Sequence, residues 1–282
     1  DVCSSDLINR RGQVTVAAEL LFDERPQRDF PNAHVRILKY DDDDRGVGSH
    51  MNLVDEVRVE GPIPDQITVA DRHVEKMLPH RQQLSESGRF ERVPILPHDA
   101  WLEGLVNAVV HRSYSMMGDH TRVEIFPHRI EITSPGRFPG VVDTNNPLAI
   151  TRYARNPRIA RVCADMGITR ELGEGIKRIF HEMQRRGLAK PIYRQSASSV
   201  TLTLKATDAI DPKTLAGLTQ SARNVLDTLR LQNKPLGTGQ IAELTGIARP
   251  TAGRALHSLA QAGLVRWEGT SDRDPRASWH LL

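Results

Sequence analysis

The chain has 282 residues, a formal net charge of +3 and a sequence pI near 9.0, which permits nucleic-acid binding without requiring it. Hydrophobic residues make up 39% of the chain, which excludes a wholly disordered protein and suits about two folded domains. No apolar run reaches the roughly 18 residues that span a bilayer and no signal peptide is recognisable, so we expect a cytoplasmic protein that does not associate with membranes.

The N-terminus and the cysteines carry little functional information. Residues 1–7 read like the translated end of a sequencing-library adaptor and contain no initiator methionine, so we expect the native chain to extend further upstream. Cys3 falls in this stretch. Cys163 stands in the apolar run 159–163, which predicts a buried, inert thiol and neither a disulfide framework nor a cysteine metal site.

Residues 8–84 have the pattern of a small α+β region. The four aspartates at 41–44 predict a solvated loop, because adjacent carboxylates repel one another and lack the geometry of a metal site. We predict a helix, two strands, a connecting helix and a polar linker, in that order, at residues 13–22, 30–40, 57–63, 67–83 and 85–92.

The most informative stretch is a predicted helix at residues 102–112. Glu103, Asn107 and His111 follow at intervals of four residues, so a helix stacks them on one face, about 6 Å apart per step. The interleaved leucines and valines give the helix a side to bury. An acid, an amide and an imidazole in one row can polarise a water molecule, hold hydrated Mg²⁺ and meet a phosphate. The alternative is the solvated polar edge of an ordinary amphipathic helix.

The segments that follow this helix predict a hairpin and a lid. Residues 123–136 read as a β-hairpin that runs into a Gly/Pro loop, and Arg112 and Tyr114 are expected to hold the intervening loop 113–121 in place. Residues 141–170 predict a mobile lid. Two of its arginines either neutralise phosphate charge or lie on the surface: Arg158 and Arg161.

A pair of glycines then precedes another helical pattern. Gly173 and Gly175 predict a tight loop that leads into a helix N-terminus, where free N–H groups and the helix dipole suit an anion. Glycines also let a phosphate approach the backbone closely. A single Gly-x-Gly is weak evidence, since it is also typical of an ordinary turn.

Taken in order, these motifs resemble a known family. They read Glu-x-x-x-Asn-Ala-x-x-His-Arg-x-Tyr at 103–114, Arg-Ile-Glu-Ile-x-Ser-Pro-Gly at 129–136, Asn-Pro-x-Ile-Ala-Arg at 156–161 and Gly-x-Gly-Ile-x-Arg-Ile at 173–179. The set is similar to the GHKL-type ATPase-like domain of bacterial and archaeal regulators called RecG-like helicase-related or Schlafen AlbA-domain proteins. The resemblance implies a GHKL-like (Bergerat) α/β sandwich at 93–206. Shorter matches imply the C-terminal part of an AlbA-like nucleic-acid-binding domain at 8–84.

The resemblance also implies roles for single residues. In the wider superfamily, which includes gyrase B and histidine kinases, the residue matching Glu103 activates the attacking water and the one matching Asn107 binds Mg²⁺. Gly173 and Gly175 match the glycines that cap the triphosphate of ATP. Ser134 stands where the superfamily has an aspartate that bonds the adenine amino group, with Gly136 as the matching glycine. Serine lacks the charged acceptor, which leaves adenine selectivity and turnover open.

From residue 218 the pattern changes to short helices. Residues 221–230, 238–246 and 249–263 predict three helices, with Ser221 capping the first and Gly246 ending the second. Residues 264–267 and 278–281 predict a two-stranded ribbon. This order resembles a winged helix-turn-helix domain at 218–282. Its third helix carries no acid, which suits the major groove of DNA, and the alternative is a winged helix used for dimerisation or protein contact.

The sequence as a whole predicts a DNA-binding transcriptional regulator, expected to be a homodimer on double-stranded DNA, whose GHKL-like domain binds ATP with Mg²⁺. Glu103 is the general base of a weak ATPase if hydrolysis occurs. The alternative is a non-enzymatic transcription factor with a degenerate, nucleotide-free scaffold. A motor helicase is excluded because the chain has no phosphate loop of the P-loop type. We assign nucleotide binding to Asn107, His111, Ser134, Gly136, Arg158, Gly173 and Gly175, and DNA binding to Arg249, Thr251, Arg254, His257, Arg273 and Arg276.

Overall fold

The computed structural model describes residues 7–84, 89–138, 143–149, 153–169, 174–207, 212–232, 234–269 and 277–281. Its contacts divide the chain into two compact units. The first comprises Asp1–Glu182 and Lys190–Ala206, and the second comprises Met183–Ala189 and Thr207–Leu282. The first unit is mixed α/β and the second is mainly helical.

The first unit alternates helices with strands along the chain. Its helices are α1 (Val16–Phe22), α2 (Ile63–Met77), α3 (His98–Val110) and α4 (Pro157–Asp165), and α5 (Gly175–Arg185) begins in it. Its strands are β1 (Val35–Tyr40), β2 (Leu53–Val59), β3 (His80–Leu84), β4 (Phe90–Pro94), β5 (Thr121–Ile125), β6 (Arg129–Pro135), β7 (Ile192–Gln195) and β8 (Ser199–Lys205). Single 3₁₀ turns lie at Pro26–Arg28, Gly48–His50 and Pro147–Ala149.

Within the described ranges, six strands of this unit form one mixed sheet in the order β2-β1-β5-β6-β8-β7. The β1–β5 pair is parallel and the other neighbours are antiparallel. Alternate residues of the central strands face α2 and α3, which pack on the sheet. These inward side chains are almost completely buried: Ile37, Val123, Ile125, Ile130, Ile132, Leu202 and Leu204.

This sheet joins the two segments that the sequence analysis separates. β1 and β2 come from residues 8–84, whereas β5, β6, β7 and β8 come from residues 93–206. Hydrogen bonding between β1 and β5 therefore makes the two segments parts of one sheet. The AlbA-like origin of residues 8–84 stays a prediction.

The second unit is built around a helix-turn-helix. It contains α6 (Pro212–Gly217), α7 (Gln220–Gln232), α8 (Thr238–Thr245) and α9 (Arg249–Gln261), followed by the strands β9 (Val265–Glu268) and β10 (Ser278–Leu281). Gly246 ends α8 in the left-handed conformation (φ +66°), which glycine adopts without the strain of a Cβ. The helices enclose one apolar cluster that includes Leu226, Leu229, Ile241, Leu256, Leu259 and Trp279.

Several predicted elements are confirmed and others are wrong. The β5–β6 hairpin, the three helices predicted in the second unit (α7, α8 and α9) and the β9–β10 ribbon form as predicted. The polar linker at 85–92 is wrong in part, because residues 90–92 belong to β4, which pairs with β3. The connecting helix predicted at 67–83 runs instead from Ile63, because Pro64 fits the first turn of a helix, to Met77, and residues 80–83 belong to β3. Thr219, not Ser221, accepts the first-turn N–H of α7, from Ala222 at 3.2 Å.

Candidate functional site

A cavity of about 410 Å³ opens in the first unit beside α3, the end of β6 and the start of α5. Its volume lies in the range of about 300–1,000 Å³ that is typical of small-molecule sites. The sequence-predicted residues meet on its wall: Glu103, Asn107, His111, Ser134, Gly136 and Gly175. Residues from three segments more than twenty positions apart therefore share one concave surface.

The first wall of the cavity is the polar row on α3. Asn107 Nδ2 donates to Glu103 Oε1 at 3.1 Å, as the four-residue spacing predicts. The second oxygen, Glu103 Oε2, accepts from Arg178 Nη1 of α5 at 2.9 Å. The Glu103 side chain is only 17% exposed, so this ion pair is better shielded from water than a surface pair.

Gly175 brings the backbone of α5 onto this row. A Cβ built at Gly175 would lie 2.1 Å from Glu103 Oε1 and 3.1 Å from Asn107 Nδ2. Real Cβ atoms essentially never come this close to other atoms, so only glycine fits at the first residue of α5 without moving the row. The start of α5 therefore packs directly on the acid and the amide, and the predicted approach of a phosphate to this glycine backbone stays a prediction.

His111 closes the row at the C-cap of α3. Its backbone N–H donates to Asn107 O at 3.0 Å, and its carbonyl accepts from Arg155 Nε at 3.1 Å. Burial and the nearby Arg155 guanidinium lower the pKa of His111, which favours the neutral imidazole. Among the described residues, nothing hydrogen-bonds its buried Nδ1. His111 thus presents an unsatisfied polar ring to the cavity that it lines.

Ser134 and Gly136 form the end of β6. Ser134 Oγ donates to Ala108 O of α3 at 2.7 Å and keeps two acceptor lone pairs. Gly136 has φ +108°, and a Cβ there would lie 2.8 Å from Ser113 Cβ, so the turn requires glycine. The serine thus fixes β6 to the helix that carries Glu103 and Asn107.

The C-terminus of α3 is held by the segment before α4. Asn156 Nδ2 donates to the carbonyls of Val110 and Arg112, at 2.8 Å each. These bonds satisfy carbonyls that a helix end leaves without partners. Arg155, next to Asn156, donates to the carbonyls of His111 and Arg137. The Asn-Pro motif therefore positions the end of α3, a role that its sequence did not reveal.

The loop after α3 is held as predicted. Arg112 is 2% exposed, and its Nη2 donates to the carbonyls of Met116 and Asp119 at 3.2 and 2.5 Å. The guanidinium lies 4.8 Å from the ring centroid of Tyr114, whose hydroxyl donates to Val109 O at 3.0 Å. The prediction that Arg112 and Tyr114 hold the loop 113–121 is confirmed.

Two aromatic residues of the cavity lining were not predicted from the sequence. Phe138 and Tyr193 line the cavity with ring centroids 5.8 Å apart. Burial, followed by the charge of Glu103, raises the pKa of Tyr193, so the phenol stays protonated. Gly104 also lines the cavity, and a Cβ there would lie 2.7 Å from Leu202 Cδ2 of the sheet. Tyr193 comes from a strand far along the chain, so no local pattern connects it to Glu103.

The predicted lid arginines differ in position. Arg158 is exposed and is not among the residues that line the cavity, contrary to its assignment to nucleotide binding. Arg161 lines the cavity instead, together with Pro157 and Ala160 on the same side of α4. Residues 157, 160 and 161 lie on one side of the helix, with residue 160 about 60° and residue 161 about 40° from residue 157, whereas residue 158 lies about 100° from residue 157, at the edge of this face. Gly173 and part of the lid, at 141–142, 150–152 and 170, lie outside the described residues.

In the second unit, α9 presents the predicted DNA-contacting side chains. Its apolar side is buried through Ala252, Ala255, Leu256 and Leu259. Arg249, Arg254 and His257 are exposed, and half-buried Thr251 accepts from Arg254 Nη2 at 3.4 Å. His257 also packs edge-on against Trp279, with ring centroids 5.6 Å apart. Cations and a hydroxyl on the open face of one helix suit phosphates and base edges.

The β9–β10 ribbon is anchored beside these helices. Trp279 Nε1 donates to Thr238 Oγ1 of α8 at 3.1 Å, and Trp279 pairs with Trp267 across the ribbon. The strands leave residues 270–276 between them, so the predicted wing arginines Arg273 and Arg276 lie outside the described part of the chain.

Two general predictions concern metals and membranes. No group of three or more His, Cys, Asp or Glu side chains is arranged as a metal cage in the described ranges. Over the same residues, no helix combines the length and apolar character needed to traverse a bilayer. Cys163 is buried as predicted, and burial raises the pKa of its thiol to about 11.

Comparison with known proteins gives two family matches. Residues 118–204 match the family model described as "Putative ATP-dependent DNA helicase recG C-terminal". This match covers Ser134, Gly136 and Gly175 but begins after Glu103 and Asn107. Residues 222–269 match the IclR helix-turn-helix domain, which covers α9. No curated protein matches the chain in sequence.

One solved structure with a similar fold is the DIP2311 protein of Corynebacterium diphtheriae, with a TM-score of 0.62 and 20% sequence identity. The alignment covers 98% of this chain and 56% of that protein, so the chain spans little more than half of its relative's length. At this identity the likeness concerns the fold alone. Taken together, the family matches show an ATPase-type domain similar to the RecG C-terminal family, followed by an IclR-type helix-turn-helix that indicates DNA-binding transcription regulation.

Proposed function

We propose that the protein is a DNA-binding regulator whose cavity binds ATP together with Mg²⁺, on a GHKL-like α/β sandwich. The observation that carries this proposal is the meeting of Glu103, Asn107 and Gly175 on one cavity wall. These residues were assigned to a nucleotide site from sequence, and they lie 68 to 72 positions apart along the chain between α3 and α5.

The residues fit a magnesium–phosphate ligand. Asn107 donates through Nδ2 to Glu103, which leaves its amide oxygen as a hard ligand of the kind that Mg²⁺ prefers. The start of α5, which Gly175 brings against Glu103 and Asn107, would offer a phosphate the free N–H groups of a helix N-terminus. Bound Mg²⁺ would neutralise phosphate charge. Arg161 and neutral His111 also line the cavity and add polar groups to its surface.

The apolar part of the cavity lining fits a flat, weakly polar group. Phe138, Tyr193, Ile132 and Leu202 supply apolar surface, on which a base can be buried away from water. Ser134 Oγ retains acceptor capacity after its bond to Ala108 O. A neutral acceptor gives weaker selectivity for an amino group than a carboxylate, so we propose modest discrimination between adenine and guanine nucleotides.

Glu103 is the residue placed to take a proton from water. Each carboxylate oxygen has two acceptor positions, so Oε1 and Oε2 can receive a water molecule besides Asn107 and Arg178. A second candidate function rests on the same contacts: with both oxygens already bonded, the protein binds nucleotide and does not hydrolyse it. Turnover by the wild type that is lost in Glu103→Ala supports the first, and binding without turnover supports the second.

Calorimetric titration of ATP with Mg²⁺ tests the binding proposal. Wild-type protein is expected to bind, Glu103→Ala to keep metal-free binding but to lose turnover and part of the affinity gained with Mg²⁺, and Asn107→Ala to lose the Mg²⁺-dependent binding. Lys177→Met is the matched control, because Lys177 is exposed on α5 and does not line the cavity. Equal ATP affinity in wild type and Asn107→Ala would contradict the proposed site.

We further propose that α9 and the ribbon act as a winged helix on double-stranded DNA, as a homodimer, with an AlbA-like region before the ATPase-type domain. The exposed Arg254 and His257 support this use of α9. Nucleotide is proposed to change DNA affinity. Fluorescence anisotropy with a genomic DNA fragment, with and without MgATP, tests the coupling, and equal affinities in both titrations would contradict it.

A further inference from the structure

Arg178 makes an ion pair within the site, but the motif at 173–179 that contains it assigns it no role. It lies one turn after Gly175 on α5, and its Nη1 donates to Glu103 Oε2 at 2.9 Å. Arg178 does not line the cavity, whereas Glu103, Asn107 and Gly175 do. The contact of Arg178 with the cavity lining therefore runs through Glu103.

The contacts form a chain that ends at the amide of Asn107. Arg178 fixes one oxygen of Glu103, and the other oxygen accepts from Asn107 Nδ2 at 3.1 Å. An asparagine amide can flip by 180°, so that its oxygen and nitrogen change places, unless a hydrogen-bond partner selects one orientation. Here the carboxylate selects Nδ2, so Asn107 Oδ1 is left on the other side of the amide. Without Arg178, the Glu103 side chain can adopt more rotamers, so it selects one orientation of the Asn107 amide less strictly.

The fit at Gly175 makes the arrangement strict. The absent Cβ leaves only enough room for Glu103 Oε1 and Asn107 Nδ2 beneath the backbone of α5. The Arg178 side chain is 35% exposed and that of Glu103 is 17% exposed, so the pair is partly shielded. A partly exposed ion pair contributes modestly to the free energy of unfolding. Its more direct effect is to fix the orientation of the Glu103 carboxylate.

We propose that Arg178 is a positioning residue that, through Glu103, orients the amide oxygen of Asn107 for Mg²⁺. This inference rests on the proposed nucleotide function. The inference divides the ATP affinity into a part that depends on Mg²⁺ and a part that does not. We expect Arg178 to affect the Mg²⁺-dependent part and to leave the metal-free affinity unchanged.

The test is calorimetric titration of ATP in the presence of Mg²⁺ and in its absence, with EDTA, on the full chain. Arg178→Met is expected to lose at least tenfold of the affinity gain that Mg²⁺ confers, with metal-free affinity within twofold of wild type. Arg178→Lys, which keeps a donor and the charge, is expected to recover part of the loss. Lys177→Met on the same helix is the control and is expected to match wild type. Glu103→Gln, which keeps the side-chain shape, is expected to lose the same part of the Mg²⁺-dependent affinity gain. The double variant Glu103→Gln/Arg178→Met is expected to lose no more than either single variant.

Each alternative result is informative. Equal losses of affinity with and without Mg²⁺ in Arg178→Met would show a merely structural ion pair and overturn the inference, as would an unchanged Mg²⁺ gain. In either case wild-type binding still supports the nucleotide site. Absence of ATP binding by the wild type would overturn the proposed function and this inference together. The titration of the wild type alone shows this result, before any variant is made.

Discussion

Gly175→Ala is the sharpest perturbation of the proposed site. The added Cβ would stand 2.1 Å from Glu103 Oε1, so this oxygen must retreat by about 1.3 Å to reach the 3.4 Å of an ordinary contact. A flexible carboxylate could yield cheaply, but Arg178 and Asn107 hold both oxygens of Glu103. The variant therefore displaces the acid, the amide, or the start of α5.

The expected result is a loss of MgATP affinity of more than tenfold, which corresponds to more than about 1.4 kcal/mol. The free energy of unfolding should change by less than about 2 kcal/mol, because overpacking of about 1–3 kcal/mol is partly offset by the helix preference of alanine. Calorimetry measures the first quantity and urea unfolding the second.

Gly253→Ala is the matched control for this experiment. Gly253 also lies in a helix, α9, but a Cβ there meets nothing within 4 Å. It should gain up to about 1 kcal/mol of stability and leave nucleotide affinity unchanged. Unaltered MgATP affinity in Gly175→Ala would refute the reasoning, because the acid, the amide and the α5 backbone would then not share the ligand surface.

Three further predictions concern other parts of the chain. Arg112→Met should cost about 2–4 kcal/mol in urea unfolding, because the buried guanidinium bonds two loop carbonyls, and a loss below about 1 kcal/mol would contradict this role. Burial and Arg58 lower the pKa of His34 from 6.5 to about 4. As the pH falls, the unfolded state therefore binds a proton before the folded state does. The free energy of unfolding should fall by on the order of 2 kcal/mol as the pH drops from 6.5 to about 4. His34→Gln should flatten that fall, and an unchanged pH slope would count against it. Arg254→Ala should weaken DNA binding measured by fluorescence anisotropy. If Arg254 contacts a phosphate, the slope of the logarithm of the binding constant against the logarithm of the salt concentration should decrease in magnitude by about one, and an unchanged slope would count against that contact.

The local parts of the site could be read from the sequence. The row of Glu103, Asn107 and His111 follows from helical spacing alone, and the β5–β6 hairpin follows from alternating apolar residues. Gly246 was recognisable as a helix end because glycine tolerates the left-handed conformation. These signals lie within one element or one turn, where period and backbone preference decide the structure.

The non-local parts were not readable in the same way. The pairing of Arg178 with Glu103 joins residues 75 positions apart, and only the folded packing of α5 on α3 selects it among the many arginines of the chain. The β3–β4 hairpin escaped prediction because its polar residues lack an apolar alternation. Asn156 stands at the N-cap position of α4, yet its side chain bonds the end of α3, which no local pattern predicts.

Equilibrium unfolding with and without MgATP tests the central claim most directly. If the cavity beside Asn107 and Gly175 binds the nucleotide, a concentration one hundred times the dissociation constant should raise the free energy of unfolding of the wild type by about 2.7 kcal/mol. Asn107→Ala should show no such Mg²⁺-dependent rise. An unfolding free energy of the wild type that does not respond to MgATP at millimolar concentration would contradict the account.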